Sequence, residues 1–81
     1  MKARVTITPR RAVLDPQGRA VLGSLHTLGF AEVRDVRVGR SIEVDLDGSG
    51  GEEAARGRLD RMCRELLANT LIEDYRFEIE P

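Results

Sequence analysis

The spacing of the apolar residues switches between two residues and about 3.6 residues along this chain, and the order of those switches restricts the fold more than any single motif. Ala3, Val5 and Ile7 alternate with polar residues, which is typical of a strand buried on one face. The apolar residues of 75–79 alternate in the same way. The chain is therefore expected to begin and end with strands.

The stretch VLDPQGRAV, residues 13–21, marks the start of a helix. Asp15 is a favourable N-cap residue, and Pro16 suits the first helical position. Apolar residues at helical spacing follow, and Gly29 suits the position just after the last turn. These signals predict a helix from about Pro16 to Leu28.

Residues 33–46 contain two short alternating runs, 36–38 and 42–46, separated by Gly39 and Arg40. The pattern fits either a hairpin or one long bent strand, and we favour the hairpin. Ser49 and Glu52 then have the spacing of a capping box, which predicts the start of a second helix.

The second helix carries an apolar stripe and is expected to end at Asn69 in a left-handed conformation. The stripe consists of Ala55, Leu59, Met62, Cys63 and Leu66. The resulting order βαββαβ predicts a single α+β domain over residues 1–81, a ferredoxin-like layer in which both helices cover one face of an antiparallel sheet. The outward face is then polar and carries Arg4, Thr6, Thr8, Asp35, Arg37, Glu43, Asp45, Arg76 and Glu78.

Composition narrows the classes of function. Thirteen basic and fourteen acidic residues give a net charge of −1, which does not suit a general nucleic-acid binder. No apolar run approaches the roughly 18 residues that span a membrane, and the N-terminus does not resemble a signal peptide, so we expect a soluble cytoplasmic protein. A domain of 81 residues has a small core, and its sheet leaves edges to cover, so we expect a dimer or tetramer.

No catalytic or metal-binding constellation stands out. His26, the only histidine, lies off the apolar stripe near the end of the first helix, where a surface role is usual. Cys63, the only cysteine, lies on an apolar helix face and is expected to act as a small hydrophobic residue. One cysteine and one histidine do not form a metal site. We therefore expect no catalytic residue, metal or cofactor in this chain.

Three stretches together resemble the PurS family, the small subunit of phosphoribosylformylglycinamidine synthase: VLDPQGRAV, LGFAEVRDVRVGRSIEV and CRELLANTLIEDYRFEIE. The resemblance runs from Val5 to Glu80, with Arg40 where lysine is frequent. It implies a non-catalytic subunit that joins a glutaminase, PurQ, to a synthetase, PurL, in a complex that uses ATP, Mg²⁺ and glutamine. No activity is expected from this chain alone. The alternative is an ACT-like regulatory module that binds a small molecule.

The candidate contact residues come from the same stretches. Gly18 lies in the first helical turn, where glycine is unfavourable, so we expect it to allow a neighbouring backbone to approach closely. The helix start is thus both a cap and a possible contact surface. The predicted partner contacts are Asp15, Pro16, Gln17, Gly18, Arg19, Arg37 and Arg40. Which of them meets PurL or PurQ stays open.

Overall fold

A three-stranded antiparallel sheet forms the body of the molecule in the computed structural model, which describes residues 1–80. The strands are β1 (Lys2–Pro9), β2 (Arg40–Asp45) and β3 (Glu73–Glu80), and β1 lies between the other two. Val5 faces Ile42 on one side and Phe77 on the other. The predicted first and last strands and the run 42–46 are therefore confirmed, apart from the exact ends.

One helix covers the apolar face of this sheet. Helix α2 (Gly51–Met62) continues into a π-helical turn (Cys63–Leu67). Leu59 and Cys63 are fully buried against Val5 and Ile7 of the central strand. The buried set is completed by Ala3, Ala55 and Ala68. Since β1 has a neighbour on both edges and α2 above it, its alternating side chains form the centre of the core.

The π-helical turn changes which leucine reaches the core. The N–H of Ala68 donates to the carbonyl of Cys63 at 2.9 Å, five residues back, so the turn is wider than an α-helical one. Ala68 is consequently buried, and Leu66 is 82% exposed. The prediction that Leu66 lies on the apolar stripe is wrong, because that stripe assumes 3.6 residues per turn and the π-helical turn has more.

Helix α1 (Pro16–Thr27) begins and ends where the sequence indicates. The Asp15 side chain caps it, and Pro16 takes the first position. At the other end, Gly29 has a φ of 100° and donates to the carbonyl of His26, while Phe30 donates to that of Leu25. This pair of hydrogen bonds is a Schellman motif, which only a residue tolerant of positive φ completes easily.

Helix α1 lies away from the sheet and belongs to what we call the arm, residues 10–39. Gly18 is the buried residue of α1, whereas Val21 is 42% exposed and Leu28 is 72% exposed. The molecule is accordingly elongated, at 50 × 26 × 14 Å. The ferredoxin-like α+β class is confirmed. The expectation that both helices share one core is wrong for this chain, since no residue of α1 belongs to the core over the sheet and Val21 stays exposed.

The second half of the arm also differs from expectation. Residues 33–39 are extended but form no strand within residues 1–80, so the hairpin is wrong, as is the placement of Asp35 and Arg37 on the outer sheet face. The N–H of Val38 instead donates to the carboxylate of Asp15, 23 residues away. This side-chain acceptor replaces the neighbouring strand that a hairpin would have supplied.

Two local signals around α2 also gave wrong predictions. The N-cap is Gly50, in the left-handed region, and the Ser49 hydroxyl donates to Asp47 at 2.7 Å, so Ser49 and Glu52 do not form a capping box. Positive φ within residues 1–80 is confined to glycines, so Asn69 is not a left-handed terminator. Its carbonyl instead accepts the N–H of Ile72 and of Glu73.

Candidate functional site

The carboxylate of Asp15 joins the two halves of the arm. Its Oδ1 accepts the N–H of Gly18 at 3.0 Å, and its Oδ2 accepts the N–H of Val38 at 3.0 Å. These two N–H groups, Gly18 before Val38, together with the positive charge of Arg37, hold the pKa of Asp15 below its usual value of 3.8. The ionised carboxylate is thus both the helix cap and the tie to the extended segment.

Gly18 allows the backbone of the segment 33–39 to lie close to the first turn of α1. A Cβ on this residue would overlap the carbonyl oxygen of Val36 and the carboxylate of Asp15. The prediction that Gly18 allows a neighbouring backbone to approach closely is confirmed, and the neighbour is the segment 33–39. Gly39 plays the same part where the segment meets the sheet, because its Cβ would overlap the carbonyl of Ile7.

Arg37 fastens the arm to the end of β1. Its Nη1 donates to the carbonyl of Pro9 at 2.8 Å, and its Nε lies 3.4 Å from Oδ2 of Asp35. Its side chain is only 26% exposed, and it is the one arginine of the arm that is half-buried rather than exposed. Asp35 in turn accepts the N–H of Val36.

These groups surround a cleft of about 260 Å³ at the base of the arm. Asp15, Arg19 and Arg37 all line it, and Gly18 lies in the same first turn as Arg19. Pro16 and Gln17 are exposed beside it. The structure therefore brings six of the seven predicted contact residues together, and their role as partner contacts stays a prediction.

Arg40 lies apart from this group. Its Nη2 donates to the carbonyl of Leu67 and to Oε1 of Glu73, both at 2.9 Å. Oε1 of Glu73 also accepts the N–H of Asn69. Arg40 thus ties the first residue of β2 to the end of the π-helical turn and to β3, which is a structural role within this chain.

Sequence reasoning missed part of the cleft. Arg11, Ala12, Val13 and Val36 line it as well. Arg11 carries no signal of its own, because it lies in a turn before the helix cap, where neither apolar spacing nor a motif applies. The alternating pattern predicts a strand at Val36, and only the contact between the extended segment and α1 reveals its position in the cleft.

The two groups with intrinsic reactivity are placed as expected. His26 is exposed, and its Nε2 lies 2.8 Å from the carbonyl oxygen of Val33, which ties the end of α1 to the extended segment. Cys63 is buried in the core, and burial, followed by the nearby Asp60, raises the pKa of its thiol. A raised pKa disfavours the nucleophilic thiolate.

The part of the chain that the structure describes has neither a metal-binding cluster nor a membrane-spanning helix. Residues 1–80 hold no group of three or more His, Cys, Asp or Glu side chains placed to bind a metal ion. Over the same residues, every helix is too short or too polar to cross a bilayer.

Large apolar side chains are exposed in two places. Leu14, Val21, Leu28 and Phe30 lie on the arm. A second group lies within and just after the π-helical turn and consists of Leu66, Leu71 and Ile72. Exposed apolar groups at this density are typical of surfaces that bind other proteins.

Comparison with known proteins shows the family of the chain. The profile of the family described as "PurS: Phosphoribosylformylglycinamidine (FGAM) synthase" matches residues 2–81. A phosphoribosylformylglycinamidine synthase subunit PurS of Bacillus subtilis is 43% identical over 79 residues, which cover 98% of this chain and 92% of the relative. The PurS subunit of Synechocystis is 49% identical over 76 residues, covering 94% and 75%.

Solved structures give the same result. The structure of Bacillus subtilis PurS in a C2 crystal form superposes with a TM-score of 0.82 at 42% identity and covers 99% of this chain and 98% of its own. A chain of the structure described as PurLQS from Thermotoga maritima superposes with a TM-score of 0.78 at 29% identity, covering 95% and 93%.

Proposed function

Because this chain belongs to the PurS family of FGAM synthase, we propose that it is the small, non-catalytic subunit that bridges the glutaminase PurQ and the synthetase PurL and supports ammonia transfer between them. The observation that carries the bridging role is the likeness to a chain of the Thermotoga maritima PurLQS structure. The ACT-like alternative is not favoured, since the PurS profile matches residues 2–81.

The chemistry of the complex explains why such a subunit is useful. The glutaminase releases ammonia, and the synthetase uses ATP to activate an amide oxygen of formylglycinamide ribonucleotide. Ammonia that escapes into water at neutral pH is protonated and is no longer a nucleophile. The two active sites must therefore be held together with water excluded, and a bridging chain contributes to this by binding both subunits in a fixed orientation.

The chain has the surfaces for this role, and neither of its two reactive side chains is set up for catalysis. Cys63 lies in the core with a raised pKa, and the imidazole of His26 lies on a backbone carbonyl of the arm. The exposed surface of the arm includes arginines at the cleft and several large apolar side chains. ATP, Mg²⁺ and glutamine are accordingly assigned to the partner subunits, and the site of action to the cytoplasm.

Self-association belongs to the same proposal. Two apolar surfaces are only partly covered within one chain: the apolar stripe of α1, and the apolar sheet face at Ile42 and Val44 of β2. A second copy that covers the arm would bury this surface, and a stable dimer needs about 1,600 Å² in total. We expect at least a dimer, so a monomer in sedimentation at tens of micromolar would contradict this part.

The test is reconstitution with the cognate synthetase and glutaminase. Glutamine-dependent synthesis should require this chain, whereas ammonium-dependent synthesis by the synthetase should not. Cys63→Ser and His26→Gln should retain turnover within about tenfold, because loss of a general base or nucleophile costs on the order of a hundredfold or more. A thousandfold loss in an intact complex would assign this chain an active site and refute the non-catalytic role.

A further inference from the structure

We propose that the cleft at the base of the arm receives an acidic side chain, Asp or Glu, of the synthetase or glutaminase subunit, held by Arg11, Arg19 and Arg37. The inference rests on the proposed function and adds the chemistry of the contact. It concerns Arg11 as well, a residue that the motifs of the chain do not indicate.

The acidic side chains of the cleft already have partners within residues 1–80, whereas two of its arginines do not. Three arginines and two aspartates line it. The carboxylate of Asp15 is occupied by two backbone N–H groups, and that of Asp35 by the N–H of Val36 and by Arg37. The acids are thus satisfied within the arm.

The arginines at the mouth are not satisfied in this way. Arg11 and Arg19 are exposed, and neither forms an ion pair or a side-chain hydrogen bond with any residue of 1–80. Arg37 stands behind them with its side chain fixed on the carbonyl of Pro9. The cleft therefore offers unpaired guanidinium donors around a fixed cation, which is complementary to a carboxylate.

The size and lining of the cleft favour a side chain over a free ion or metabolite. Its volume of about 260 Å³ is below the roughly 300–1,000 Å³ of small-molecule pockets. Exposed arginines bind a free anion weakly, because water screens them. Ala12, Val13 and Val36 add apolar wall that suits the methylene groups of an acidic side chain. A partner protein supplies the remaining binding energy from the surface around that side chain.

The experiment compares two charge reversals with equal change in net charge. Arg11→Glu with Arg19→Glu alters the cleft, and Arg56→Glu with Arg76→Glu alters exposed arginines outside the arm. Neither Arg11 nor Arg19 holds the fold, and an acid in the first turn of α1 is favoured by the helix dipole. The cleft variant should therefore fold, which circular dichroism and gel filtration verify.

Affinity for the reconstituted synthetase and glutaminase is measured by calorimetry at about 50 and 300 mM salt. We expect the cleft variant to bind about tenfold or more weakly with a reduced salt dependence, and the control to stay within about twofold of the parent. Equal binding of cleft variant and parent, or equal weakening of both variants, would overturn the inference.

Two further results would also overturn it. Loss of self-association in the cleft variant would assign the cleft to a second copy of this chain. Micromolar binding of inorganic phosphate to the isolated chain would assign it to a free anion. If the parent chain bound neither subunit, the proposed function itself would fail, so the two failures are distinguishable.

Discussion

The sheet body and the arm are stabilised by different kinds of contact. In the body, Val5, Ile7 and Leu59 are fully buried, so the fold is stabilised by apolar surface removed from water. In the arm, the extended segment is tied to α1 and β1 by polar contacts made by Asp15, His26 and Arg37. The core of the body is closed within one chain, although Leu66, Leu71 and Ile72 stay exposed beside it, whereas the large apolar side chains of the arm lie outside that core.

This difference explains how one small chain can be stable by itself and still bind other chains. A buried core tolerates little change, and an arm positioned by hydrogen bonds keeps its apolar surface available for other chains. The body should therefore determine the stability of the isolated chain, and the arm its assembly. Four measurements test this division, in order of decreasing expected effect on unfolding.

The largest effect is expected in the core. Leu59→Ala removes a fully buried side chain between the sheet and α2, and such changes cost about 2–5 kcal/mol of unfolding free energy. Urea denaturation followed by circular dichroism measures it. A cost below about 1 kcal/mol would mean that the body is not the stable region.

Gly18→Ala tests the close approach between α1 and the extended segment. The added methyl group overlaps the carbonyl of Val36, so we expect a loss of about 1–3 kcal/mol, concentrated in the arm. Hydrogen exchange at the Val38 amide reports it locally. Gly23→Ala is the matched control in the same helix, because nothing lies within 4 Å of its new Cβ, and it should stabilise the chain by about 0.5–1 kcal/mol.

The tie through Asp15 should depend on pH. Its pKa is lowered in the folded chain, so its contribution is complete above the ordinary value of 3.8 and is lost as the pH falls through the lower folded value. The amide shifts of Gly18 and Val38 in NMR spectra should titrate together in that range. Asp15→Ala should raise arm opening at neutral pH about fivefold, the usual effect of losing an N-cap, and independent titration of the two amides would contradict a shared carboxylate.

The smallest effect on unfolding is expected at Leu28, the exposed residue that ends α1. Leu28→Ser should change the stability of the monomer by less than about 0.5 kcal/mol, because the side chain is largely exposed. The same change should weaken self-association, measured by sedimentation equilibrium. Full retention of self-association would show that Leu28 does not contribute to the interface.

Features set by residues close together in sequence could be predicted, and features set by contacts between distant residues could not. Strand β1 and the two ends of α1 were predictable, since alternation, an N-cap Asp with Pro16, and Gly29 act through neighbouring residues. For the same reason, the sequence predicts that the first turn of α1 is capped by Asp15 and that Gly18 allows a neighbouring backbone to approach closely. Arg11 and Val36 were not, because their place in the cleft depends on the path of the backbone between residues far apart in sequence.

The sequence by itself determined the periodic segments, the caps and the family to which the chain belongs. Tertiary structure decided three further features: the π-helical turn that exposes Leu66, the extended path of 33–39, and the position of α1 away from the sheet. Each depends on which distant group satisfies a backbone donor or covers an apolar face. Val38 could pair with a strand or with Asp15, and local pattern does not distinguish two acceptors that only the folded chain brings within reach.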